Sequence, residues 1–250
     1  MRESERAFRD LLAALNGAGS ADSDLNLDPG RVARTGVPEV VLALGKTVDQ
    51  VLAAARGLLA ANGRVIVSRV TPELVDDLRA AFPSYEVRWQ PEGRTALLAE
   101  PLSSPARTDG FVGILAAGAA DVPVAEEAAI MAREMGCRVD VIADVGVAGL
   151  HRLFPPLRRL LDAGVDAIIV AAGMDGALPS VVAGLVAVPV IGLPTSAGYG
   201  FGGHGEGALM SMLQTCVPGL SVVNVDNGVG AGAAAALIAN AAARGRRERA

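Results

Sequence analysis

The chain has 250 residues, 51% of them hydrophobic, with a formal net charge of -5, enough for one large or two modest cores. No basic stripe or aromatic-basic interleaving is present, so a nucleic-acid partner is not expected. Apolar runs such as DAIIVAAG are too short to span a bilayer, and the charged start MRESERAFRD lacks an apolar signal core.

Scarce residue types exclude further chemistry. Cys137 and Cys216 are the only cysteines, which argues against a disulfide framework and for a reduced, cytoplasmic setting. With only His151 and His204, one chain cannot build a three-histidine metal site, and Lys46 is the single candidate for Schiff-base chemistry. Cysteine, hydroxyl and carboxylate nucleophiles remain.

Residues 1–36 show little apolar periodicity, and DSDLNLDPGR (22–31) reads as a loop. VPEVVLAL, TVDQVLAAARGLLAANG and RVIVSRV then alternate strand, helix, strand. Thr71 caps a helix in TPELVDDLRAAF, and YEVRWQ with TALLAE reads as a hairpin. The Pro- and Ser-rich run PLSSPARTDG places a boundary near residue 105. It divides a smaller mixed α/β domain (1–105) from a larger domain (106–250).

In the second part FVGILAAG, RVDVIADV, DAIIVAAG, PVIGLPTS and LSVVNVDN are five short apolar runs separated by helix-like segments. Near-continuous Val/Ile strands alternating with helices predict a three-layer α/β/α domain with a mainly parallel five-stranded sheet. Ligands of such sheets sit at the carboxyl ends of the strands. Five loops converge there: Gly118–Asp121, Asp144–Gly146, Gly173–Gly176, Pro194–Gly200 and Asn224–Gly230.

The candidate binding residues on these loops are Gly118, Ala119, Ala120 and Asp121, then Asp144, Gly146 and Arg152, then Met174 and Gly176. Pro194, Thr195 and Ser196 follow, with Asn224, Asp226 and Asn227 last. Asp121 reads equally as a helix N-cap, and Asn224, Asp226 and Asn227 as turn-formers. Arg152 suits a phosphate or carboxylate. Asp175, between glycines, suggests close ligand approach or a cap. GYGFGG (198–203) and GVGAGA (228–233) fit glycine-rich dinucleotide patterns. The second stops in an Ala-rich helix before any acidic strand end, and the first is weak alone.

Cys137 begins a buried strand and reads as core. Cys216, in MLQTCVPG, closes an apolar, helix-like run two residues before a proline. A helix C-terminus disfavours a thiolate, so electrostatics alone also make it core; a cationic substrate would reverse that.

The succession AGAADVPVAEEA, ADVGVAGLHRL, VAAGMDGALPSVVAGL, GLPTSAGYG, MLQTCVPG and VVNVDNGVGAGAAAA resembles the LarB family, in order over residues 111–240. TGVPEVVLALGKTVDQV, with Glu39 and Lys46, resembles that family's N-terminal domain. The second half is similar in turn to PurE carboxylases and mutases, with Ala177 where those enzymes carry a histidine.

The resemblance implies an enzyme of nickel-pincer nucleotide biosynthesis. It would carboxylate nicotinic acid adenine dinucleotide with CO2 or bicarbonate, release AMP by hydrolysis, and form pyridinium-3,5-biscarboxylic acid mononucleotide. It also implies catalytic roles for Cys216 as nucleophile and Asp175 as proton acceptor, with Mg2+ of unassigned ligands and a homo-oligomer, an octamer. The Ala-rich final helix has little polar face and is expected to pack against a neighbouring subunit. Two departures stand out: Asp175 where the family carries Glu, and Ala119-Ala120 where it carries Thr-Ser. The alternatives are a PurE-type aminoimidazole ribonucleotide carboxylase or mutase, and a nucleotide-binding homologue without catalysis.

Overall fold

The computed structural model describes residues 26–249. The charged N-terminus and the first part of the expected 22–31 loop lie outside the described residues. From Asn26 to Gly30 the chain is irregular, and a short helix α1 (Arg31–Thr35) begins on the last residue of the expected loop.

The first sheet holds β1 (Val40–Leu42), β2 (Arg64–Ser68), β3 (Glu86–Gln90) and β4 (Thr95–Ala99) in the order β1-β2-β4-β3. β1 and β2 run parallel around helix α2 (Val48–Asn62); β3 and β4 form the expected antiparallel hairpin. Helix α2 starts at a reciprocal cap: Gln50 N–H donates to Thr47 Oγ1 and Thr47 N–H to Gln50 Oε1. Thr71 caps α3 (Pro72–Ala81) by accepting from Leu74 N–H.

Strand alternation divides the faces of this sheet. Val41, Val65, Val67, Ala96 and Leu98 form one core with α2 and α3. Ile66 and Leu97 point the other way, into the core of the second sheet.

That second sheet comprises β5 (Phe111–Ala116), β6 (Arg138–Ile142), β7 (Ala167–Ala172), β8 (Val190–Pro194) and β9 (Leu220–Val222). It is wholly parallel, in the order β6-β5-β7-β8-β9. Central strands β5 and β7 are buried along their whole length, which explains their unbroken apolar sequence. Val112, Ile114, Ile169 and Ala171 face α4 (Val122–Glu134) and α8 (Gly228–Arg247). Phe111, Leu115, Ile168 and Val170 face α5 (Phe154–Asp162), α6 (Leu178–Ala183) and α7 (Glu206–Leu213). Three layers result, as the alternating pattern predicts.

Two local expectations need correction. The small-residue stripe of α8 (Ala231, Gly232, Ala235, Ala236, Ala239), the apolar face expected to meet a neighbouring subunit, packs on α4 of the same chain. Two small-faced helices approach closely, so the stripe is used up within the fold. Helix α7 ends at Leu213, three residues before Cys216. Val217 N–H donates to Thr215 Oγ1, and that hydroxyl pairs with Ser180 Oγ at 2.8 Å. These bonds turn the chain toward β9 instead of extending the helix.

Among the described residues, no helix is long and apolar enough to cross a membrane.

Candidate functional site

A cavity of about 510 Å³ opens at the carboxyl edge of the parallel sheet, a size suited to a small ligand. Its walls are the turns after β5 (Ala117, Gly118, Ala120, Asp121), β6 (Gly146–Ala148) and β7 (Ala172–Asp175), joined by Ala197 after β8. A larger cavity, about 660 Å³, lies at the opposite edge among Arg107, Arg138 and Arg246. Two of its arginines already pair with Asp140 and Asp166. The carboxyl-edge cavity is the better site, because the turns of a parallel sheet converge there.

Asp121 is 5% exposed and its side chain does not cap α4. One oxygen accepts from Gly118 N–H at 2.8 Å, the other from Thr195 Oγ1 at 2.5 Å. The first bond is local and the second spans 74 residues, so Asp121 sets the shape of the wall by locking the β5 turn to the end of β8. Gly146 must be glycine: a Cβ there would lie 2.7 Å from the carbonyl oxygen of Ala117. The β5 and β6 turns therefore touch backbone to backbone.

Asp175 is exposed on the wall, with Ala177 N–H 3.5 Å from its Oδ1. The flanking glycine has a different cause from the ligand approach expected of it. Gly176 has φ +60°, and a Cβ would lie 2.6 Å from Ala208 O on α7. Helix packing, not ligand, demands glycine at that point. Met174 beside it is about half exposed and also left-handed, at φ +44°.

Of the predicted residues, the cavity gathers Gly118, Ala120, Asp121, Gly146, Met174 and Asp175. Ala119 is exposed on the short 3-10 turn beside them. Asp144 and Arg152 pair with each other at 2.5 Å next to Gly146. Pro194 and Thr195 are buried behind the wall. Ser196 donates both N–H and Oγ to the Asp226 carboxylate, at 2.8 and 2.6 Å. Asn224 accepts from Val225 N–H, and Asn227 caps α8 by accepting from Gly230 N–H. The turn-forming reading of the last loop thus describes what these side chains do. Sequence reasoning missed Ala117, Val147, Ala148, Ala172 and Leu178 as lining residues; each lies within two residues of a predicted turn and carries no chemical signal of its own.

Cys216 lies elsewhere. It is exposed, four residues before β9, and Gly219 O accepts from Val190 N–H at the amino end of β8. A Cβ on Gly184, at the far end of α6, would lie 3.9 Å from Val217 Cγ1. Asp175 stands at the other end of α6. Strand β8 spans about 13 Å at roughly 3.3 Å per residue, so within one chain Cys216 and the cavity occupy opposite edges of the sheet.

The glycine-rich patterns resolve as well. GVGAGA lies within α8, and GYGFGG is a loop that ends before α7. Among the described residues, no three His, Cys, Asp or Glu side chains gather to hold a metal ion. With Asp121 engaged by Gly118 and Thr195, Asp175 is left as the other carboxylate lining the cavity, and the pair does not fit a magnesium cage.

Comparison with known proteins follows the same division. Residues 22–100 match the LarB/PurE-like N-terminal domain family, and residues 111–249 match the AIR carboxylase family. The chain is 43% identical over 228 residues to an uncharacterised protein of Methanocaldococcus jannaschii, covering 90% of this chain and 88% of that protein. It is 30% identical over 130 residues to an N5-carboxyaminoimidazole ribonucleotide mutase of Thermotoga maritima, covering 51% of this chain and 73% of that one. A mutase of the same name from Mycobacterium tuberculosis is 33% identical over 138 residues, 54% of this chain and 74% of its own. Two matched families, laid end to end over two separate sheets, make this chain a member of the LarB family with a PurE-like C-terminal domain.

Proposed function

We propose that the protein is a PurE-related carboxylase that acts on the pyridinium ring of nicotinic acid adenine dinucleotide and also releases AMP. The observation that carries this reading is the wall of the carboxyl-edge cavity, where Asp175 is exposed beside Ala177. A carboxylate accepts a proton without the imidazole that PurE enzymes carry at the second position, so Ala177 counts against mutase chemistry.

A pyridinium ring is electron-poor and does not attack CO2. Addition of the Cys216 thiolate to the ring neutralises its charge and leaves an enamine-like carbon, which attacks CO2. Asp175 then takes the ring proton; the carbon–sulfur bond breaks, thiolate leaves and aromaticity returns. One difficult step is split into two easier ones. Water cleaves the phosphoanhydride; AMP departs with its own phosphate, and the dicarboxylated mononucleotide keeps the other. Any divalent cation would be carried by the substrate's phosphates and water, and no step here depends on one.

In this reading Cys216 reaches the ring from a second copy of the chain, in keeping with the homo-oligomer that the family resemblance implies. Support comes from its exposure and from the apolar side chains near it. Met210 and Leu213 on α7 are 70% and 66% exposed.

Incubation with the dinucleotide and labelled bicarbonate, followed by mass spectrometry, tests the proposal. The expected products are the dicarboxylated mononucleotide and AMP, and Cys216→Ala should abolish carboxylation while leaving the circular dichroism spectrum unchanged. Normal carboxylation by Cys216→Ala would refute the covalent step. Tight nucleotide binding with no AMP formed would favour a non-catalytic homologue, which the intrachain distance between Cys216 and Asp175 also fits.

A further inference from the structure

Arg69 links the N-terminal sheet to the loops of the candidate site. Arg69 follows β2 in a left-handed conformation, φ +61°, unusual for a long side chain. Its Nη2 donates to the carbonyl oxygen of Asp226 at 2.5 Å, and its Nε lies 3.6 Å from Glu127 Oε1 on α4. Glu127 is 4% exposed and also accepts from Ser68 Oγ at 2.5 Å.

From Asp226 the chain of bonds continues to the cavity. The Asp226 carboxylate holds Ser196 by two hydrogen bonds, and Asp226 N–H donates to Pro194 O. Thr195, next to Ser196, bonds Asp121 on the cavity wall, and Ala197 lines the cavity itself. Segment 194–197 is thus gripped from two sides, by Asp121 and by Asp226. Asp226 is itself left-handed, at φ +56°, so its position depends on the contacts around it.

We infer that Arg69 is a positioning residue for the site: the N-terminal sheet holds the β9 loop through it and, through that loop, the 194–197 wall. The inference rests on the carboxyl-edge cavity being the functional site. An arginine suits the task because its planar fork serves a carboxylate with one edge and a carbonyl with another. A lysine carries its donors on a single nitrogen, so it has to meet the carboxylate and the carbonyl from one point where arginine spans them with Nε and Nη2.

Hydrogen exchange with mass spectrometry on the full chain tests this without any substrate. In Arg69→Ala, exchange of peptides covering 194–200 and 224–228 should rise at least tenfold while that of 167–172 is unchanged. Arg69→Lys should restore the melting temperature by neutralising Glu127, yet leave 194–200 exchanging fast. An exchange rise spread evenly over both sheets, or full restoration of 194–200 by lysine, would overturn the inference, as would unchanged exchange in both variants. Wild-type turnover of the dinucleotide tests the function separately, so either result can fail without the other. Where turnover is observed, kcat/KM should fall at least tenfold in Arg69→Lys as well as in Arg69→Ala.

Discussion

Thr195→Val isolates the bond that closes the cavity wall. The substitution keeps the shape of the side chain and removes one hydroxyl. Thr195 is fully buried and Asp121 is 5% exposed, so no water replaces the donor 2.5 Å from Oδ1. A hydrogen bond to a charged group is worth about 1.5–3 kcal/mol, and an orphaned buried acceptor loses it in full. The expected loss is about 2 kcal/mol, roughly a thirtyfold shift in the folding equilibrium. With a urea slope of about 3 kcal/mol/M, the midpoint should fall by about 0.7 M. Circular dichroism at 222 nm follows the unfolding, since the helices around the parallel sheet dominate that signal. Thr195→Ser keeps the donor and should cost less than Thr195→Val. A Thr195→Val midpoint within about 0.15 M of wild type would refute the reasoning, as would a serine variant equally impaired.

Three further outcomes follow from the geometry. Gly146→Ala drives a methyl to 2.7 Å from the Ala117 carbonyl, an overpacking cost of about 1–3 kcal/mol. Calorimetry should show melting lowered by roughly 4–8 °C for about 2 kcal/mol, and a melting point unchanged would mean that the two turns part freely. Burial pushes the Cys137 thiol up to about 11, while Cys216 is exposed. Iodoacetamide at pH 8 should therefore alkylate Cys216 alone; peptide mapping that finds Cys137 equally modified would contradict its burial. The sign for stability follows from the same shift. The unfolded thiol ionises near its ordinary 9.0 and the folded one near 11, so this contribution is complete below pH 9 and is lost as pH climbs toward 11. Finally, Asp175→Glu should raise the carboxylation rate by adding about 1.5 Å of reach; no gain would show a site adapted to the shorter carboxylate.

The sequence carried the layers and the edge of the sheet where the site lies. Strands buried on both faces must be apolar throughout, so β5 and β7 announce a parallel sheet, and such a sheet collects its turns at one edge. The edge of Cys216 was legible too, since a residue shortly before a parallel strand lies at its amino end; its neighbouring helix and proline drew attention away from that constraint. Other features had no local signal. Glu126 and Glu127 are alike in sequence, and only the arrival of Ser68 and Arg69 from another sheet selects Glu127 for burial. Asp121 fits an N-cap by position, and only the fold brings Thr195 within reach of it.

The outward pair Ile66 and Leu97 bears on how the chain is made. Their partners in the shared core include α4 and α8, and α8 is the last helix of the chain. From Ala99 to Gly228 the ribosome adds about 130 residues, roughly 6–26 s at ordinary rates of synthesis. Over that interval the cover on Ile66 and Leu97 is incomplete: α4 follows early and α8 only at its close. The first sheet therefore completes its outward packing only when the end of the second has been made.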